Sequence, residues 1–313
     1  MMTKTLQFLL RSQIKSSKVM PKSGGFTLIE LLVSAVIAFL IITPLFGFMI
    51  SVMNTDRREQ AKANSEQEIQ TAPNYISRDV QQAVYIYDNV GVEAIKDELP
   101  SGADKSPILV FWKRELVPKV IEANDGTKDD AFVYSLVAYY LIKDNNPTWS
   151  NAARIARWQI KDGVTATTDG VTCPEYPVSD KYIADNCPDP GFASFTESSE
   201  ESMNQWTKNA PPYTARVTAL IDYVDQSTNP VPPATCPTSE NTDITWSTIT
   251  PANNMTGFYA CVDRENTTAQ VFIRGNALAR LENDPDKIKY SADNSTYFPT
   301  TNVRVQGRGF LFK

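Results

Sequence analysis

The chain has 313 residues, with 30 basic side chains against 36 acidic ones, and contains no histidine. Its acidic balance, with a pI near 4.9, disfavours nucleic acid as a partner because phosphates would be repelled. The absence of histidine removes Ser-His-Asp and Cys-His nucleophiles, histidine-ligated zinc and the usual general base near neutral pH.

Residues 1–25 carry Lys4, Arg11, Lys15, Lys18 and Lys22 and no acid, so the positive-inside bias keeps this end cytoplasmic. Lys22-Ser23-Gly24-Gly25-Phe26-Thr27-Leu28-Ile29-Glu30 then runs into a charge-free apolar segment, 31–53. As a helix, this segment spans about 30 Å of hydrocarbon. A secretory signal places its small-residue cleavage site after the apolar region. Here the Gly-Gly pair precedes it, so a cut at that point removes only the basic leader and leaves the anchor on the product.

Glycine, aromatic residue and acid at these offsets resemble the type IV prepilin family, including the pseudopilins of type II secretion. The resemblance implies a prepilin peptidase cut between Gly25 and Phe26 and N-methylation of Phe26. Glu30 would then be the fifth residue of the mature chain. An ionised carboxylate inside a membrane helix needs a partner. In that family the partner is the terminal amine of a neighbouring subunit, which makes Glu30 an assembly residue. The local alternative is a capping box, with Thr27 as N-cap and Glu30 three residues on. Loss of the leader leaves 25 basic residues against 36 acidic ones, a net charge of −11.

Past the membrane segment, 54–70 is polar and has neither glycine nor proline. An apolar stripe follows at Ile69, Ala72, Ile76, Val80, Ala83, Val84 and Tyr87, at helical spacing. Together these predict a single helix over 26–88. A helix from Phe26 to Tyr87 would be about 93 Å long, and Pro44, Gly47 and Pro73 are expected to bend or loosen it. The part 89–313 reads as a β-rich extracytoplasmic domain. Strands are expected at 107–112, at 132–142 with 154–160 as its partner, at 215–223, and starting around Val271 and Val303. The fold class is therefore α+β, a long N-terminal helix packed on a carboxyl-terminal antiparallel sheet.

The stretch 165–212, with Cys-Pro twice and Glu197-Ser198-Ser199-Glu200-Glu201, reads as a surface excursion stapled by a disulfide. Four cysteines allow three pairings. Cys173 with Cys187 and Cys236 with Cys261 each close a short loop in an oxidising compartment, free buried thiols being the alternative. Three further candidates have bland alternatives. Residues 124–130 hold the oxygen ligands and glycine of a calcium loop at Asp125 to Asp130, but lack the Asp-x-Asp-x-Asp-Gly order and the closing glutamate, so an ordinary acidic turn is favoured and no cofactor is expected. Trp112, Trp149, Trp158, Trp206 and Trp246 could stack on sugar rings, although buried sheet aromatics are commoner. No spacing singles out a carboxylate pair for glycoside hydrolysis, so the chain reads as a non-enzyme.

Size and the run Tyr75 to Ala83 resemble the J and W branch of minor pseudopilins and minor pilins. Residues 55–62, 65–70, 81–88 and 110–115 are similar to the hormogonium polysaccharide secretion pseudopilin C family of filamentous cyanobacteria. That likeness implies a structural subunit supporting polysaccharide export and gliding motility. Its partners would be other minor and major pilins or pseudopilins, a prepilin peptidase and an inner-membrane assembly platform. A filament-mounted adhesin or polysaccharide-binding module is the second reading, with polysaccharide as ligand.

Overall fold

In the computed structural model the described residues are 25–309, apart from 101, 123–125, 167–169, 197–199, 211, 239–243 and 252. The leader before Gly25 therefore lies outside the described residues. The chain divides into two units, Met1–Thr55 and Asp56–Lys313. A helix, α1 (Leu28–Val80), begins in the first and ends in the second.

The first unit holds the apolar half of α1, whose side chains are exposed, from Leu28 and Leu31 to Met53. Two of its hydroxyls are satisfied within the helix, Ser34 bonding to the Glu30 carbonyl at 2.7 Å and Thr43 to that of Phe39 at 2.8 Å. This internal satisfaction is what a helix surrounded by hydrocarbon requires. Pro44 and Pro73 both lie inside the unbroken helix.

The helix stops at Val80, short of the expected end at Tyr87. Ala83–Ile86 forms strand β1 instead, antiparallel to β2 (Lys105–Glu122) with Tyr85 opposite Trp112 and Ile86 opposite Phe111. All four β1 residues are buried. Two bulky β-branched or aromatic neighbours cannot both face the core from one helical stripe, whereas a strand buried on both faces takes them all. A short helix, α2 (Asn89–Ile95), follows; Asp88 caps it by accepting from the Gly91 N–H at 2.8 Å. The expected onset of strand at residue 89 is thus corrected: strand starts at Ala83 and helix returns at Asn89.

The remaining elements are β3 (Lys128–Ile142), β4 (Ala153–Lys161), a ribbon of β5 (Val171–Thr172) and β6 (Lys181–Tyr182), α3 (Glu200–Met203), β7 (Thr218–Val224), β8 (Ser247–Ile249), β9 (Phe258–Asp263), β10 (Thr268–Arg274) and β11 (Thr300–Gln306). They build an antiparallel sheet in the order β1-β2-β3-β4-β7 and a second in the order β11-β10-β9-β8. The long helix followed by antiparallel sheets is the expected α+β, pilin-like architecture, with two principal sheets in place of one.

In the second unit, Ile69, Ala72, Ile76 and Val80 of α1 join the core cluster that includes Phe111, Val137 and Tyr139 of the five-stranded sheet. Phe111 and Tyr139 stack at 6.3 Å. Alternation puts Trp112 and Trp158 on the opposite face, where Trp112 meets Phe192, Phe195 and Trp206 at 4.7–5.9 Å and Trp158 meets Tyr213 at 4.8 Å. The stretch 165–212 is therefore only partly a surface excursion. Its distal half seals the second face of the sheet with Phe192, Met203 and Trp206, all buried.

The two sheets meet at β1. Backbone donors of Arg308 and Gly309 reach the carbonyls of Gln81 and Ala83 at 3.1 and 3.2 Å. A Cβ on Gly307 would sit 2.6 Å from the Ala83 oxygen, and one on Gly309 would sit 2.4 Å from Val84 Cγ1, so this close approach requires glycine. Disulfides join Cys173 to Cys187 and Cys236 to Cys261, with Cα separations of 5.7 and 5.6 Å. The first closes the excursion, and the second ties the 225–246 connection to β9.

Candidate functional site

Gly25 and Phe26 precede α1 outside any regular element, and both are exposed. A Cβ on Gly25 meets nothing within 4 Å, so no packing among the described residues dictates glycine there. Thr27 opens the helix: its carbonyl accepts from the N–H groups of Glu30 and Leu31 at 3.1 and 3.2 Å. Its hydroxyl sits 3.3 Å from the Glu30 N–H and 3.4 Å from Glu30 Oε2. This is half of the capping box, since the carboxylate takes the Thr27 hydroxyl and not the Thr27 N–H. The local and the assembly readings of Glu30 are compatible, because the carboxylate is exposed at the edge of an apolar helix and holds only a long contact. A charge so placed is costly in hydrocarbon until a cation reaches it.

A second cluster, which the sequence reading did not single out, lies where the last turns of α1 meet the five-stranded sheet. Asp79 is buried and receives Lys113 Nζ at 2.9 Å, Tyr139 Oη at 2.8 Å and Arg157 Nε at 2.7 Å. Burial pushes the Asp79 carboxyl up, but the Arg157 hydrogen bond and charge, joined by Lys113, outweigh it and hold the group below the usual carboxylate range. Burial, reinforced by the adjacent carboxylate, pushes the Tyr139 phenol up, which keeps it a donor. Arg157 also binds Gln159, which donates to Glu115. One signal was present in the sequence: Asp79 lies seven residues past Ala72, so it shares the apolar stripe and is an acid where the stripe calls for an apolar residue.

Higher on the helix, Arg280 bonds to Ser65 Oγ at 2.9 Å and to Glu68, while Lys62 lies over the Tyr297 ring at 4.6 Å. These contacts join α1 to the β10–β11 connection. All of them position the helix and imply no chemistry.

The other candidates separate clearly. Asn124 and Asp125 lie outside the described residues. Gly126 has φ +81°, and Asp130 accepts from the Lys119 N–H at 2.8 Å, so the described remainder of that stretch is the turn of the β2–β3 hairpin. Trp112, Trp158 and Trp206 are core residues, Trp246 lies under Arg304 at 4.9 Å, and Trp149 is 39% exposed.

The prokaryotic N-terminal methylation motif matches residues 20–46. That segment holds Gly25, Phe26, Glu30 and the start of the apolar helix. The match supports a type IV pilin-like subunit, structural in role, processed by a prepilin peptidase and assembled with other pilins. With the exposed apolar half of α1, it points to membrane anchoring. No curated protein and no solved structure matches the chain.

Proposed function

We propose that the chain is a minor pilin or pseudopilin, cut between Gly25 and Phe26, N-methylated on Phe26 and packed into a filament through α1. The carrying observation is the methylation motif over residues 20–46, set on a helix whose apolar half buries nothing within the chain. An apolar surface of that extent demands a cover, first the plasma membrane and then neighbouring helices. The leader stays cytoplasmic and the sheet unit lies outside. In the filament, Glu30 pairs with the terminal amine of the preceding subunit, which removes the cost of its charge.

The narrower reading assigns the chain to the J and W branch, in a system that exports polysaccharide and supports gliding motility. It rests on the short sequence likenesses in α1 and β2. A second reading, a filament-mounted glycan-binding module, is favoured by the exposure of Trp149 beside a groove.

Intact mass and amino-terminal sequencing of the membrane-extracted protein test the first reading. The expected product begins at N-methylated Phe26 and disappears in Gly25→Ala and in cells lacking prepilin peptidase. Glu30→Ala should still be cut yet be missing from sheared filaments. A chain left intact in wild-type cells, or cut beyond Met53, would overturn the assignment.

A further inference from the structure

Three hollows line one side of the second unit and share residues. The first, about 520 Å³, runs past Pro100, Lys105, Trp149, Arg154 and Arg216; the second, about 380 Å³, repeats Pro100 and Lys105; the third, about 420 Å³, repeats Lys105 and Pro107. Lys105 lines all three, so the hollows adjoin around that side chain as a segmented trough. Adjoining hollows suit successive units of a chain better than a single small molecule does.

We infer that this trough binds an acidic polysaccharide, with Trp149 as the platform for a sugar ring and Lys105 and Arg216 as the partners of its carboxylates. The proposal rests on the glycan-binding reading given above. The Trp149 indole is exposed but held in place. The Arg154 guanidinium sits 5.5 Å from its ring, and a two-pronged bond to Asp144 fixes that guanidinium. Held from one side by that cation, the ring offers its exposed part to the apolar C–H face of a sugar as a preorganised surface.

Charge selects the class of glycan. The trough is lined by Lys96, Lys105, Arg154 and Arg216 against Glu93, Asp97 and Asp144. Glu93 pairs with Lys96, and Asp144 pairs with Arg154. Lys105 and Arg216 have no ion pair among the described residues. Asp97 has no ion pair there either, so a net excess of one cation remains on a mature chain of net charge −11, and this face is one that a polyanion could approach.

The floor adds an independent pointer. Tyr140 lines the middle hollow and is 1% exposed, and its hydroxyl has no hydrogen-bond partner among the described residues. A buried phenol left unpaired is costly, and a sugar hydroxyl or carboxylate reaching the floor would satisfy it.

The test is calorimetric titration of the full mature chain in detergent micelles with a hexasaccharide of uronic acids, and separately with neutral maltohexaose. The uronate should bind with an affinity that falls as salt rises, and maltohexaose should bind at least about tenfold more weakly. Trp149→Ala and the double variant Lys105→Gln/Arg216→Gln should each weaken uronate binding by about tenfold, the double variant also flattening the salt dependence. Tyr140→Phe should weaken it by a few fold with an unchanged far-UV spectrum. No binding of the uronate, equal binding of maltohexaose, or binding indifferent to both surface variants would overturn the proposal. Failure of both sugars to bind would sink the glycan-binding reading itself, whereas equal binding of the two would sink only the assignment to an acidic glycan.

Discussion

Asp79 brings a negative charge into the seam between α1 and the five-stranded sheet, where two cations and a phenol converge on it. Removing one member of such a buried set leaves the others charged and unpaired, so Asp79→Ala should cost about 3–5 kcal/mol in unfolding free energy. Glu59→Gln breaks only the exposed Lys62 pair and should cost under about 0.5 kcal/mol. Chemical unfolding followed by tryptophan fluorescence distinguishes the two. Because the folded carboxyl titrates below its ordinary value, its stabilisation is complete above the unfolded value of about 3.9 and is lost as pH falls through the folded one. The wild-type chain should therefore lose more stability than Asp79→Ala between pH 5 and the acid limit. Equal acid slopes for the two proteins would show that the cluster contributes nothing to the linkage.

At the scale of the element, α1 has two halves with opposite demands. Ile76 is fully buried against the sheet, whereas Ile37 is 51% exposed. Ile76→Ala should lower unfolding free energy by about 2–4 kcal/mol, and Ile37→Ala should leave the unfolding midpoint of the sheet unit unchanged. The excursion is held differently, by Cys173–Cys187 over a sequence separation of 14. Replacing both cysteines by serine should cost about 3 kcal/mol and expose Trp206 to a soluble quencher.

Periodicity made part of the strands with one wet face legible: Ala215 to Ala219 alternates in burial as its sequence does, although the strand itself is Thr218–Val224 and 219–223 are all half-buried, and the pairs Val271–Ile273 and Val303–Val305 lie in β10 and β11. The end of α1 was not legible, because Ala83-Val84-Tyr85-Ile86 fits a helical stripe as well as a strand, and pairing with β2 decides between them. Nor was the far reach of β2. Pro118 and the charged residues around it argue against a strand, yet pairing with β3 carries it to Glu122 through an irregular register after Val117.

For the whole molecule, the legible and illegible parts follow a physical line. The membrane half and the processing motif act through chain neighbours, so residue order alone displays them. The second unit is made by partners far apart in sequence. Phe192, Met203 and Trp206 are single apolar residues in a polar stretch and gain meaning only against Trp112. The Asp225–Arg274 pair is buried and carries a 2.7 Å bond from the residue after β7 to the end of β10, linking the two sheets. Arg274→Met alone should be strongly destabilising, since it leaves Asp225 as a lone buried carboxylate, which is the costly state. The double replacement Asp225→Leu/Arg274→Met is expected to unfold within about 1–2 kcal/mol of wild type, and the single Arg274→Met well below it.

The contacts along α1 come in a fixed order: Lys62 on Tyr297, then Ser65 and Glu68 on Arg280, then the apolar stripe, and last Asp79 in its cluster. A pull along the axis of this helix therefore loads them together, the Lys62, Ser65 and Glu68 ties to the β10–β11 connection sharing it with the buried charges at the far end. Because tension directed along the helix axis must slide the stripe past the strands and cannot peel it away turn by turn, the seam resists as a lap joint does. A subunit drawn out of the bilayer by its tail would keep its sheet unit folded while the load is applied.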